Sequence, residues 1–396
     1  MTPPIRTIDL RTPSFEKPMP QTSLPFIDLK AQQASIRPQV DQAIKKVLDH
    51  GVYIMGPEVT ELESDLAAFC GVKYAISCSN GTDALALGLM AKGVGQGDAI
   101  FVPSFTFAAT AEVVAWSGAT VVFVDSLSGT FNMDPAGLEQ GINHAKSAGL
   151  TPKGIIPVDL FGQPADYDAL EAIASLHDLW VMADGAQSFG AYYKGRRVGS
   201  IGQMSTTSFF PAKPLGCYGD GGAIFTDDEE LAGIIKSIRV HGQGVDKYEN
   251  VRIGMNGRLD TFQAAILIEK LKIFENEINS RQRIADRYKA GLSDIVLTPE
   301  VIDGATSTWA QYTLVLPEDV NRDVFMATLK DQGIPTFVYY VKPLHLQNAY
   351  KHFLTGTGGN LPVCEGLAHR VVSLPMHPYL NKDTQDYIIE QVRAAL

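Results

Sequence analysis

The chain has 396 residues, with 33 lysines and arginines against 44 aspartates and glutamates and a formal net charge of -11. That acidity argues against a nucleic-acid polymer as partner, because phosphate backbones select basic surfaces. A composition of 45% hydrophobic and 19% charged residues is that of a soluble globular protein, and the length favours two domains.

The stretch before Leu24 mixes Arg6, Asp9, Arg11, Glu16 and Lys17 with several prolines and has no apolar core, so it reads as a flexible arm (residues 1–24) rather than a signal peptide. From Lys73 short apolar runs alternate with helical patterns, as a doubly wound α/β sheet requires. Strands are expected at Tyr74–Ser79, Ala99–Val102, Thr120–Asp125, Gly154–Leu160, Leu179–Asp184, Thr206–Phe210 and Gly222–Thr226. Most lack polar alternation, which implies burial on both faces and a mostly parallel sheet. Residues 99–124 carry one charge, Glu112, but Pro103, Ser104, Thr106, Ser117 and Gly118 divide them into strand, helix and strand, so no membrane span is expected.

Helical spacing with acidic starts appears at Asp166–His177 and Asp228–Val240, and a long charge-rich helical stretch covers Arg258–Leu292. The boundary between a large domain (25–275) and a smaller α+β domain (276–396) is placed near residue 275. The run Thr355–Asn360 is rich in glycine and reads as a surface loop. Four cysteines without a C-x-x-C pair suit neither a disulfide framework nor a zinc site, so a cytoplasmic chain without a metal is expected. His345, His369 and His377 are isolated and read as structural.

Two segments carry the chemistry. Val181–Ser188 reads as an apolar strand ending in Asp184, and Thr207–Gly216 as a strand ending just before Lys213, which is set between Pro211 and Pro214. Pyridoxal phosphate needs a lysine for its Schiff base and an acid beside its ring nitrogen, and the pair supplies both. Ser79-Asn80-Gly81-Thr82-Asp83, between a strand and the apolar helix Ala84–Met90, offers free amides, a helix dipole and a hydroxyl as a phosphate seat; alone, it also fits a helix cap without ligand. Ser208 adds a second hydroxyl or is an inward strand serine. Gln187 aims its amide at the cofactor's phenolic oxygen or is a solvated turn residue. Phe107 stacks on a flat ring or packs in the core. No G-x-G-x-x-G follows a strand and no G-x-x-x-x-G-K-[ST] occurs.

At these residues the chain resembles the DegT/DnrJ/EryC/StrS sugar aminotransferases, of the type I fold of aspartate aminotransferase. The resemblance runs from Phe26-Ile27-Asp28-Leu29 to the C-terminus. It includes Gly56-Pro57-Glu58-Val59, Ser79 to Leu85, Pro103 to Phe107, Asp184 to Ser188 and Ser208 to Lys213. It implies that Lys213 carries pyridoxal phosphate, Asp184 pairs with the ring nitrogen, Phe107 stacks, Gln187 meets the ring hydroxyl, and Gly81, Thr82 and Ser208 hold the phosphate. It also implies a homodimer with shared sites, in which Asn256 reaches the partner's cofactor and Arg258 the partner's substrate.

The stretches around Lys213 and Ser373–Tyr379 are similar to the branch acting on a UDP-linked 2-acetamido-3-oxo uronate, with L-glutamate as amino donor. Tyr339 and Tyr340 are expected to line that sugar; Tyr339 and Val341 depart from the branch's H-Y-P-x-P-L. Lys213 argues against a dehydratase of the same fold, where histidine replaces the lysine. No fused DNA-binding segment points to a non-catalytic regulator. Keto sugars on dTDP or GDP remain open within the same chemistry.

Overall fold

The structure, a computed structural model, describes residues 24–246 and 248–396, so all of the expected N-terminal arm except Leu24 lies outside the described residues. α1 (Leu29–His50) starts where the Asp28 carboxylate accepts the amide of Ala31 at 2.9 Å and ends at Gly51 with φ 72°. α2 (Pro57–Cys70) opens on proline, whose missing donor would be unpaired there anyway. Strands and helices then alternate: β1 (Tyr74–Cys78), α3 (Gly81–Ala91), β2 (Asp98–Pro103), α4 (Ala109–Trp116), β3 (Thr120–Val124), α5 (Pro135–Ser147), β4 (Thr151–Ile155), α6 (Tyr167–Leu176) and β5 (Trp180–Asp184). A small hairpin of β6 (Tyr192–Tyr193) and β7 (Arg196–Arg197) precedes β8 (Met204–Ser208), β9 (Gly222–Thr226), α7 (Glu229–Ile238) and α8 (Thr261–Leu292). The remainder adds β10 (Tyr312–Val315), α9 (Arg322–Asp331), β11 (Leu354–Thr355), α10 (Pro362–Arg370), β12 (Val371–Leu374) and α11 (Lys382–Ala395).

The main sheet has the order β1-β9-β8-β5-β4-β2-β3-β11. It is parallel from β8 to β11, while β9 runs antiparallel to both β1 and β8. The expected lack of polar alternation has a direct cause in β2 and β3. Ile100, Val102, Val121 and Phe123 enter the core on one face, and Ala99, Phe101, Val122 and Val124 the core on the other. Helices cover both faces, so every position after the first residue of each strand is apolar.

Two strands differ from expectation by more than one residue at an end. β4 runs Thr151–Ile155 instead of Gly154–Leu160: Pro157 has no amide to donate, and the chain turns through a 3-10 segment, Leu160–Gly162, with Phe161 at φ 61°. Val158 still bridges Asp184, which keeps this stretch beside the end of β5. β8 starts at Met204 and stops at Ser208, because the chain then folds into the loop that carries Lys213. In the run expected to be a loop, Thr355 closes the edge strand β11.

Residue 275 falls inside the continuous helix α8. The N-terminal half of α8 buries Leu267 and Phe274 with α2 and β9, and its C-terminal half buries Ile284, Tyr288 and Leu292 with β10, β12 and α11. Leu344, Leu361 and Leu367 return to the core of the main sheet.

Phe189, just behind the end of β5, ties α2, β9 and the N-terminal half of α8 together, with its ring 5.6 Å from Phe225, 6.0 Å from Phe274 and 5.4 Å from Phe69. Phe189→Ala empties a fully buried position and is expected to destabilise the protein by about 3–5 kcal/mol, read as a lower midpoint in chemical denaturation.

Candidate active site

The site residues gather at the carboxyl ends of the parallel strands, where open α/β sheets bind ligands. Asp184 ends β5 and is buried. Its Oδ2 accepts the Thr110 hydroxyl at 2.9 Å and its Oδ1 the Ala186 amide at 3.2 Å. Burial pushes its carboxyl above the usual aspartate range, against which those two donors and the Lys213 charge act.

Lys213 follows β8 in a tight loop: its amide donates to the Phe210 carbonyl at 2.8 Å, and the buried Lys270 ammonium donates to the Gly216 carbonyl three residues on. Burial lowers its ammonium below the usual lysine value and the Asp184 carboxylate opposes that shift. The two groups that sequence singled out therefore feel one another across the site.

α3 begins opposite. Asn80 caps it, accepting the Asp83 amide at 2.7 Å, which leaves the Gly81 and Thr82 amides with no partner among the described residues. Gly81 lies against Ser208: a Cβ on Gly81 would stand 2.6 Å from that of Ser208, so only glycine fits.

Gln187 is buried and oriented. Its Oε1 accepts the Phe161 amide at 2.8 Å, so its NH2 faces the other way, donating to the Tyr340 hydroxyl at 3.3 Å. This excludes the solvated-turn reading. Tyr339 sits with its ring 5.9 Å from that of Tyr340. Their segment is fastened to the end of β2 by Leu344 N–H to the Ser104 carbonyl at 2.9 Å and by Ser104 Oγ with His345 Nδ1 at 2.6 Å. Phe107, beyond the same strand, is 58% exposed, so it presents its ring instead of packing in the core.

Asn256 and Arg258 make no side-chain hydrogen bond or ion pair among the described residues, and the Arg258 Nε is buried without a partner. Their backbone is held near α3, with the Gly257 carbonyl accepting the Ser79 amide at 3.1 Å. Thr110 was not legible in the sequence: it lies in α4, 74 residues from Asp184, in no motif. Among the described residues no group of histidines, cysteines and acids is placed to hold a metal, and no helix is long and apolar enough to cross a membrane.

A buried carboxylate, a lysine of depressed pKa, free amides at a helix N-terminus and an exposed ring fit pyridoxal phosphate. The comparisons agree. A profile of the DegT/DnrJ/EryC1/StrS aminotransferase family matches residues 34–393. A UDP-2-acetamido-2-deoxy-3-oxo-D-glucuronate aminotransferase of Pseudomonas aeruginosa is 52% identical over 359 residues, 90% of this chain and 96% of its own. The crystal structure of a DegT DnrJ EryC1 StrS aminotransferase from Brucella abortus superposes with a TM-score of 0.91 at 52% identity, covering 94% of this chain and 99% of that one. The structure of ntda from Bacillus subtilis with bound cofactor PMP gives 0.86 at 29% identity, covering 96% and 87%.

Fold and comparisons together define a pyridoxal-phosphate-dependent aminotransferase of type I fold. More particularly, the chain belongs to the DegT/DnrJ/EryC1/StrS aminotransferase family, the sugar aminotransferases.

Thr110→Val keeps volume but removes one of the two hydrogen bonds to Asp184. The lost bond to a buried carboxylate is worth about 1–3 kcal/mol, so turnover is expected to fall roughly ten- to hundredfold with the cofactor still bound, checked by steady-state assay beside the absorption spectrum.

Proposed function

We propose that the enzyme moves the amino group of L-glutamate onto a keto sugar nucleotide, UDP-2-acetamido-2-deoxy-3-oxo-D-glucuronate, for surface polysaccharide synthesis in the cytoplasm. The observation that carries this reading is the 52% identity, across 90% of the chain, to an enzyme named for that substrate.

Bound here, pyridoxal phosphate supplies the electron-accepting ring on which the amino group is carried from donor to acceptor. Lys213 holds it and then, once displaced, moves the proton at the reacting substrate carbon; burial lowers its pKa, which favours the free amine that a base requires. Asp184 keeps the ring nitrogen protonated. Gly81, Thr82 and Ser208 take the phosphate, the Gln187 amide the ring oxygen, and Phe107 covers the ring face.

Tyr339 and Tyr340 line the sugar. Arg258 gives a bidentate partner to a carboxylate or pyrophosphate, a role supported by its buried, unpartnered Nε. In this reading Asn256 and Arg258 serve the neighbouring subunit of a homodimer. Support comes from the apolar residues exposed around their segment: Tyr53 and Ile54, hydrogen-bonded or bridged to residues 261 and 260, Met55 next to them, and Val251 and Ile253 just before it. Residues 25–275 and 276–396 are taken as the large and small domains, with α8 passing from one to the other.

Borohydride reduction of the purified enzyme is expected to fix a phosphopyridoxyl group on Lys213, and Lys213→Ala to abolish turnover while the protein stays folded. An adduct on another lysine in the peptide map contradicts the assignment. For the shared site, mixing Lys213→Ala with Arg258→Ala subunits is expected to restore one working site per mixed dimer; no recovery after verified exchange contradicts it. A panel of keto sugar nucleotides decides the substrate: amination of the UDP uronate supports the reading, whereas turnover of neutral dTDP sugars alone overturns it.

A further inference from the structure

Directly behind the catalytic turn lies a second buried carboxylate, Asp159, which no motif marks. It follows the stretch that bridges β5: Asp184 donates its amide to the Pro157 carbonyl at 2.9 Å, and Asp159 donates its own to the Asp184 carbonyl at 3.1 Å. Asp159 is fully buried. Its Oδ1 accepts the Tyr167 hydroxyl at 2.6 Å and the Ala165 amide at 2.9 Å, and its Oδ2 accepts the Ser188 hydroxyl at 2.7 Å.

Ser188 is the residue after Gln187. The turn from Asp184 to Ser188 is thus gripped at two points by one neighbouring segment: Ser188 by the Asp159 side chain and Gln187 by the Phe161 amide. The first grip fixes where the turn lies. The second fixes which end of the Gln187 amide faces the site.

We propose that Asp159 is a positioning residue of the transamination site, which sets the placement of Gln187 and the charge felt by Asp184 through the Asp184–Ser188 turn. The inference rests on the reading that Asp184 and Gln187 face pyridoxal phosphate. A purely structural acid would only hold the fold, but Asp159 also lies within electrostatic reach of the acid that keeps the ring nitrogen protonated. Burial pushes its carboxyl up to about 7, with the Asp184 charge adding to the rise and the Tyr167, Ser188 and Ala165 donors opposing it.

The titratable groups around it are Asp184 from β5 and Tyr167 from α6, whose own pKa burial raises well above the usual tyrosine value; Lys213 acts on Asp184 from the far side. As pH rises through about 7, Asp159 gains a negative charge that further favours a proton on the ring nitrogen. In the apoprotein the sign is fixed by linkage. The raised pKa contributes stability that is full below pH about 4 and is lost as pH rises through the folded value.

The test uses Asp159→Asn, which keeps shape and removes the titration, read in three ways. Titrating the apoprotein with pyridoxal phosphate is expected to show affinity weakened at least tenfold. The apoprotein's melting temperature is expected to fall less steeply with pH than in the wild type. In the loaded enzyme, the wild type is expected to show a pH-dependent change in visible absorption near pH 7 that Asp159→Asn lacks.

Ser188→Ala and Tyr167→Phe each remove one donor and are expected to move the affinity in the same direction by less, so they carry the test if Asp159→Asn fails to fold. Wild-type cofactor affinity together with an unchanged pH profile of the absorption in these variants overturns the proposal. If borohydride labels Lys213 normally while the variants change nothing, only this inference falls; if the label lies elsewhere, the site reading itself falls.

Discussion

The arrangement depends on one electrostatic constraint: a carboxylate, Asp184, buried at the end of a central strand with no cation hydrogen-bonded to it. A charge taken out of water without a partner is unfavourable, so it is neutralised or met by opposite charge. The chain supplies only partial compensation, two neutral hydrogen bonds and the more distant Lys213. In the proposed reading, a protonated ring nitrogen of the cofactor completes the balance. In that reading the site is preorganised for a cationic heterocycle: the ring's positive charge would favour the ionised Asp184, and the carboxylate would favour the ring proton.

The parallel sheet makes that constraint workable. Strands buried on both faces bring β5 and β8 side by side, so their carboxyl ends deliver Asp184 and the Lys213 loop to one edge. β1 and β8 are both antiparallel to β9, so β1 ends at that same edge and α3 starts there. Close contact there requires the missing side chain of Gly81, which lets the helix N-terminus settle onto Ser208. Chemistry at one edge follows from packing throughout the layer.

Much of this was legible in the sequence because it is local. Apolar runs gave the strands, and Asp166, Asp228 and the proline and glycine punctuation gave helix ends that the structure places within a residue or two. Asp184 was visible because it terminates such a run, and Lys213 because it follows one within a few residues. The end of β4 was misplaced because Pro157 and the left-handed Phe161 turn the chain where hydrophobicity alone continues. Thr110 and Asp159 were invisible for a different reason. Their roles arise from contacts 74 and 29 residues away in the chain, and nothing in a serine, threonine or aspartate taken singly announces a long-range partner. Gln187 stood between: its position was readable, but the direction of its amide depends on the Phe161 backbone.

The central claim, that Asp184 holds a proton on the ring nitrogen, is tested most directly by loading the apoprotein with pyridoxal phosphate labelled with nitrogen-15 and following the ring nitrogen by NMR as pH is raised. The expected result is a protonated signal that persists well above the pH at which free cofactor deprotonates, and that is lost in Asp184→Asn. A ring nitrogen that titrates like the free cofactor in the wild type, or one indifferent to that substitution, would contradict the account.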